Sequence, residues 1–347
     1  MAKKKKNVFN YQNNQNINNF MASVNAVRAL HQKPTCEVCG AEYERDVWRR
    51  CGTYDRFDFF GRPNFRASYE VCPHCGYTCK RISKHIGGYA IPNNSAKYQE
   101  HLLKLKELVD SDSYKSCKGI VEIASDSYKR LLYHAFLCYQ VKENKSECAY
   151  ALLRLVWEMD ETYMKVVEKT NNDSNEVDPD LSKINFETLT DEERQDLIKS
   201  KETIFKWVLE DYFKYVGEII DKQYDQFKNA SSEDFDYFPR YSMDGYEEYI
   251  EILINYIYYQ RRFGDINEAE NKLNMLNEVK KNIDGGVKIR GGGSLLDKVN
   301  FFYEIEYANI QLIKYNKPID PYLLTKAYKL YNSYDSMEHI DYIFPRY

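Results

Sequence analysis

The chain has 347 residues, a net charge of −4, 43% hydrophobic residues and a mean hydropathy of −0.67. It is long enough for two domains or one large helical array, and polar enough to keep its surface in water. No apolar run approaches the roughly 20 residues a membrane helix requires, and Lys3 to Lys6 lead into Asn and Gln rather than an apolar stretch, so neither a spanning helix nor a secretory signal is expected.

The expected compartment is the cytoplasm. In that reducing medium nine cysteines point to metal or redox chemistry rather than structural disulfides. Charge is uneven along the chain. Residues 1–90 hold 15 Lys and Arg against 7 Asp and Glu, a net of +8, and the rest holds 34 against 46, a net of −12. A basic head on an acidic body suits an anionic partner. The plainer account is that four of those lysines belong to a loose tail. The 32 tyrosines read mostly as compositional bias, since Lys, Asn and Ile are also abundant, with some covering helix seams.

Residues 1–30 read as a flexible N-terminal arm, because Asn7 to Asn19 is dominated by Asn and Gln. Within it Phe20 to Leu30 suits a short helix that Pro34 ends. Residues 31–92 form a second region, rich in Gly, Pro, Cys, Arg and aromatic residues and lacking helical periodicity. The alternation in Tyr69-Glu70-Val71-Cys72 predicts a short strand. Residues 93–347 read as a helical, repeat-like domain, with Ser95 as its first N-cap.

Tyr128, Leu131, Leu132, Ala135 and Cys138 or Tyr139 mark one buried helix face, and Ala149, Leu152, Leu153, Val156 and Met159 mark a second. Lys142 to Lys145 is the polar turn between them, with Asn144 or Ser146 as the next cap. Asn171 to Asp180, with Pro179, is a loop. Thr190 and Glu193 form a capping box, followed by one long helix or two over Leu197 to Phe227. Ser231 to Pro239 is an acidic loop. In Ile250 to Val279, Gly264-Asp265 separates two amphipathic runs, and Ala269 supplies a small residue for close packing. The unit resembles a tetratricopeptide repeat, although Ile257 stands where a small residue is usual. Two more helices are predicted near Leu295–Tyr315 and Pro321–Tyr334.

The strongest chemical signal is a pair of knuckles, Cys36-Glu37-Val38-Cys39-Gly40 and Cys72-Pro73-His74-Cys75-Gly76. Two residues between cysteines let both sulfurs face one ion, and the glycine admits a tight turn whose amides donate to thiolates. Four thiolates suit tetrahedral zinc in a structural role, so Cys36, Cys39, Cys72 and Cys75 are the predicted metal ligands. Iron in the same site, as in rubredoxin, is the less favoured occupant, because the intervening segment is Arg-rich rather than acidic. A redox CxxC would follow a strand in a thioredoxin-like pattern, which is missing. Cys51, Cys79, His74 and His85 are nearby bystanders. Cys117, Cys138 and Cys148 are read as small core residues.

Between the knuckles, Arg49, Arg50, Arg56, Arg62 and Arg66 alternate with Trp48, Tyr54, Phe57, Phe59, Phe60 and Phe65. Arginine with aromatics suits phosphate and stacked bases, so these five are the candidate anion or nucleic-acid contacts. The plainer account makes the rings a mini-core for a small metal domain. Enzyme signatures are missing: there is no Walker A lysine, HExxH or GxSxG. Gly285 to Gly293 reads as a loop, His134 as a structural helix residue, and Asp160-Glu161 as helix surface.

Cys36–Cys39, Asp55 to Phe59, Arg62-Pro63-Asn64 leading to Tyr69, and Val71-Cys72-Pro73-His74-Cys75-Gly76-Tyr77 together resemble the bacterial family catalogued as domain of unknown function 2225. Tyr150 to Trp157 resembles its helical segment. The resemblance covers most of residues 34–315. Cys79 stands where a small apolar residue is more usual, and the insert is less acidic than the family pattern. The resemblance implies a zinc-ribbon-like head and tetratricopeptide-like helices, and it implies no activity.

The expected fold is mostly α, with a small four-cysteine zinc-ribbon-like or rubredoxin-like head before an all-helical tetratricopeptide-like array. The expected function is a non-enzymatic adaptor whose helical surface binds a protein or peptide. The alternatives are a nucleic-acid-binding protein using the basic head, and a metal-dependent or thiol redox enzyme.

Overall fold

The computed structural model describes residues 28–48, 53–55, 61–63, 69–79, 95–117, 127–171, 189–228, 246–283, 295–323 and 325. These residues are mostly helical, with three two-stranded sheets. The chain divides into two compact units: Met1–Gly52 with Pro63–Tyr215, and Thr53–Arg62 with Val216–Tyr347. No described helix is long and apolar enough to cross a membrane.

In the first unit, strand β1 (Arg28–Gln32) pairs antiparallel with β2 (Arg45–Trp48), setting Leu30 opposite Val47 and His31 opposite Asp46. The short helix expected over Phe20 to Leu30 is therefore strand at residues 28–30, because β2 supplies the backbone partners that a helix would have found within itself. The remainder of that helix lies outside the described residues. Strands β3 (Thr53–Asp55) and β4 (Gly61–Pro63), of which residues 53–62 belong to the second unit, form a separate two-stranded pair of their own. The strand predicted around Glu70 is β5 (Glu70–Val71), antiparallel to β6 (Thr78–Cys79).

Helix α1 (Ala96–Asp110) starts at Ser95, whose hydroxyl accepts from the Tyr98 amide at 3.1 Å. Its buried side is Tyr98, His101, Leu105 and Val109, one position per turn. Ser111 then serves two helices at once. Its hydroxyl donates to the Leu108 carbonyl at 2.7 Å and accepts from the Tyr114 amide at 3.2 Å, closing α1 and opening α2 (Asp112–Ser116).

Helices α3 (Ser127–Val141) and α4 (Lys145–Asn171) form the predicted hairpin. Leu131, Leu132, Ala135, Cys138 and Tyr139 are buried on one, and Ala149, Leu152, Leu153, Val156 and Met159 on the other. Asp160, expected on the surface, is 1% exposed. It sits four residues after Val156, and so continues the core-facing stripe rather than the solvated one. Asn144 is the cap: its side-chain oxygen accepts from the Glu147 amide at 3.1 Å. The turn before it is a Schellman closure, with Asn144 N donating to Tyr139 O at 3.0 Å and Glu143 N to Gln140 O at 3.1 Å. Glu143 takes the left-handed position, at φ 54, where glycine is the usual occupant.

Helix α5 (Asp191–Lys228) is continuous over the span read as one helix or two. Its capping box is in place: the Glu193 amide donates to the Thr190 hydroxyl at 3.2 Å, and the Thr190 amide donates to the Glu193 carboxylate at 2.8 Å. The boundary between the units falls inside it, after Tyr215.

In the second unit, α6 (Tyr246–Phe263) and α7 (Ile266–Val279) meet at the Gly264-Asp265 turn. Asp265 caps α7 by accepting from the Asn267 amide at 2.8 Å, and its own amide donates to Gln260 Oε1 at 2.9 Å. Ala269 is fully buried, as expected of the small packing position. Helix α8 (Leu295–Tyr315) is tied to α6 by a buried fork, with Arg261 Nε 2.5 Å and Nη2 3.0 Å from the two Glu306 oxygens. Residues 321–323 and 325 are helical; the rest of the helix expected to Tyr334 lies outside the described residues, as do the loops expected at 172–180, 231–239 and 285–293.

Many tyrosines are core residues rather than surface bias. Tyr77, Tyr114 and Tyr139 in the first unit and Tyr249, Tyr258 and Tyr259 in the second are essentially inaccessible. Each large ring removes apolar area from water while its hydroxyl keeps a polar handle.

Candidate metal centre

The two knuckles are copies of one backbone design, 36 residues apart. Cys36 N donates to Ala41 O at 2.9 Å, and Gly40 N to Cys36 O at 2.8 Å; Cys72 N donates to Tyr77 O at 2.8 Å, and Gly76 N to Cys72 O at 2.9 Å. The flanking residues pair in the same register, Thr35 opposite Glu42 and Val71 opposite Thr78. Gly40 and Gly76 take φ values of 72 and 82, a left-handed conformation that side chains with a Cβ resist. Each knuckle is thus a small hairpin bent back over its own two sulfurs.

The bend brings Cys36, Cys39, Cys72 and Cys75 together, with all four Sγ atoms within 4.8 Å of one another. Cross-knuckle pairs are 3.8 Å (Cys36–Cys75) and 3.7 Å (Cys39–Cys72). These are free thiols, since a disulfide would hold the sulfurs at about 2.05 Å. Four sulfurs about 2.3 Å from a tetrahedral ion would stand about 3.8 Å apart, so the donor set fits such an ion. Cys36 and Cys72 are buried, Cys75 is half-buried and Cys39 is exposed.

The four thiols share hydrogen bonds with one another. Hydrogen bonds from Cys36 and then Cys75 draw the Cys72 thiol well below its usual range, and the Cys75 and His74 amides act in the same direction. The sharing pushes Cys36 and Cys75 upward: Cys36 first through Cys72, and Cys75 first through Cys36. Without a cation, these bonds favour the thiolate at Cys72 and the neutral thiol at Cys36 and Cys75. A divalent ion would let all four ionise, because each thiolate then faces positive charge instead of another anion. Among the described residues the group contains these four thiols and no imidazole or carboxylate, which leaves no protein ligand of a second kind.

No family model matches this chain, and neither curated proteins nor solved structures provide a match.

Around the sulfurs, the structure places residues that the sequence did not single out. Glu37, between the ligands of the first knuckle, turns its carboxylate inward. It accepts from the hydroxyl of Tyr77, from that of Tyr98 at 3.2 Å, and from the ammonium of Lys142 at 3.1 Å. The Lys142 and Glu37 side chains are 0% and 3% exposed. Lys142 Nζ also lies 4.9 Å from the Tyr77 ring centroid and 5.6 Å from that of Tyr139. On the second knuckle, the Tyr114 hydroxyl donates to the Gly76 carbonyl at 2.7 Å. A charged residue between two knuckle cysteines was the available signal for Glu37. Lys142 offered none, being one lysine in a polar turn.

Cys117, Cys138 and Cys148 are core residues, as expected, and Cys79, read as a bystander, is buried too. Burial pushes Cys79 and Cys148 up to about 12 and Cys117 to about 11, which keeps them neutral. Cys117 Sγ lies 3.3 Å from His134 Nε2, but that nitrogen also lies 2.7 Å from the Tyr114 carbonyl, and the imidazole stacks on the Tyr114 ring at 3.9 Å. Burial draws His134 down to about 4. A neutral imidazole beside a neutral thiol is a packing arrangement, not an activated nucleophile.

His74 is exposed at the tip of the second knuckle. Cys51 and His85 lie outside the described residues, and so do Arg49, Arg50, Arg56 and Arg66. Arg62 is placed in β4 by its backbone alone.

Proposed function

We propose that this protein is a zinc-binding adaptor of the cytoplasm, in which the ion has a structural role and the helices engage a protein or peptide partner. The observation that carries the reading is the four-sulfur group. Zinc held by four thiolates has no open position for substrate, so its contribution is to folding rather than to chemistry. The repeated knuckle geometry supports a zinc-ribbon-like or rubredoxin-like head, and zinc is favoured over iron in it. The α6–α7 hairpin, with its Gly264-Asp265 turn and buried Ala269, supports tetratricopeptide-like packing in the body. The family resemblance read from the sequence belongs to this same proposal.

The test is purification of the full chain beside a Cys72→Ser, Cys75→Ser variant, with bound metal, protein and nucleic acid all identified. One zinc per chain, together with a discrete protein partner whose complex re-forms from purified components, supports the proposal. Iron in the site replaces its metal. RNA or DNA that is retained at low salt and leaves as salt rises replaces its partner, with the basic head as the contact.

A further inference from the structure

The metal centre and the first helices of unit 1 share a polar core, and its middle member is Glu37. That residue follows Cys36 directly, so the backbone that fixes two sulfurs also fixes the carboxylate. Three elements reach it: Tyr77 from the second knuckle, Tyr98 from α1 and Lys142 from the end of α3. The Tyr114–Gly76 bond adds α2 to the same assembly. Lys142 stands where the chain makes an unfavourable turn, immediately before left-handed Glu143. The outer face of that turn is held to α1 by the pair Lys97–Glu143.

We infer that metal occupancy controls the order of the α3–α4 turn and of α1, with the buried Glu37–Lys142 pair as the link. The inference rests on the four thiols holding an ion. With the ion bound, each knuckle is locked and the carboxylate is held against the ammonium. With the ion gone, two knuckles of a few residues each have little to keep their shape, since isolated two-stranded hairpins are marginal in water. Once Glu37 withdraws, Lys142 loses the buried carboxylate that stood 3.1 Å from its ammonium. Loss of a buried counter-charge favours any opening that returns the ammonium to water. The nearest such opening is the turn at residues 142–144. Removal of the ion thus reaches a helical surface well beyond the head, and the α3–α4 turn becomes an order–disorder element that reports the metal state.

Hydrogen exchange on the full chain, zinc-loaded and after a strong chelator, tests this directly. The amides of residues 140–148 and 96–110 should exchange at least about tenfold faster in the chelated protein, the scale of an ordinary coupling between sites. Residues 266–276 in the second unit serve as the unchanged reference. Coupling is reciprocal, so Lys142→Met should weaken zinc by a similar factor, read by competition with a chromogenic chelator. The double variant Glu37→Gln, Lys142→Met has neither charge of this pair. It should lose protection over 34–43 and 69–79 on chelation while keeping it at 140–148. Wild type with 140–148 unchanged by chelation overturns the inference alone. A double variant that responds as wild type does overturns the pair as the link. A chain that takes up no zinc overturns both this inference and the metal reading beneath it.

Discussion

Lys142 Nζ lies 3.1 Å from Glu37 Oε1, with both side chains withdrawn from solvent. Breaking such a pair from one side strands the other charge, which typically costs about 3–5 kcal/mol, whereas neutralising both partners together can cost little. Lys142→Met should therefore destabilise unit 1 by several kcal/mol, and adding Glu37→Gln should recover most of the loss, because the Gln oxygen can still accept from Tyr77 while its NH2 can donate to the Tyr98 hydroxyl oxygen. All three tryptophans, Trp48, Trp157 and Trp207, belong to unit 1. Tryptophan fluorescence during urea unfolding follows this unit, and equal midpoints for the single and double variants would contradict the expectation.

The two classes of cysteine should separate by metal content. Cys72→Ser removes a fully buried sulfur of the four-thiol group, and bound zinc should fall from the expected one per chain to near none. Cys148→Ala and Cys117→Ala change neutral buried thiols outside the cluster and should leave the stoichiometry intact at a modest cost in stability. Elemental analysis of freshly reduced protein decides it; zinc lost equally from both classes would mean that the cluster is not the site.

His134 gives the first unit a pH dependence with a definite sign. Burial lowers its pKa from 6.5 to about 4 in the folded chain. The unfolded chain accordingly binds the proton more readily. Stability from the neutral imidazole is complete above pH 6.5, declines as pH falls through the window from 6.5 to 4, and is gone below it, a change on the order of 3 kcal/mol. Acid also releases metal from thiolates. The informative quantity is therefore the difference between wild type and His134→Gln in urea midpoint at pH 7.5 and pH 5. That difference should shrink on acidification, since the variant has no imidazole to protonate.

Gly217 faces Tyr256 so closely that an added Cβ would stand 3.0 Å from Tyr256 Oη and 3.5 Å from two ring carbons. The hydroxyl accepts from Gln260 Nε2 at 3.0 Å, and the ring is almost wholly buried, so Tyr256 has little freedom to move aside. Overpacking costs about 1–3 kcal/mol, against the roughly 1 kcal/mol that alanine gains over glycine inside a helix. Gly217→Ala should lower stability on balance. In a Tyr256→Phe background the same change should raise it, because the offending oxygen is gone. Thermal unfolding of the four chains gives the sign in each background, and the same sign in both would show that the contact does not decide it.

Local signals in the sequence determined much of this protein. The two CxxCG knuckles specify their own turns, because glycine alone tolerates the left-handed position easily and two intervening residues set the sulfurs on one side. The α3, α4 and α8 helices follow from apolar spacing, and the starts of α1, α5 and α7 from Ser95, Thr190 and Asp265, whose short polar side chains satisfy amides two or three residues ahead. Such features depend on neighbours within a few positions, so they can be read before any fold is known. Only the tertiary structure decided which polar residues are inside. Lys142, Glu37 and Asp160 look like surface positions in sequence, and the partners that make burial of Lys142 and Glu37 tolerable arrive from 105 residues away. The same holds for residues 28–30, which by sequence suit the end of a short helix but take their hydrogen bonds from β2. Burial of a charge is a property of what packs around it, and that is fixed by the assembled chain rather than by any stretch of it.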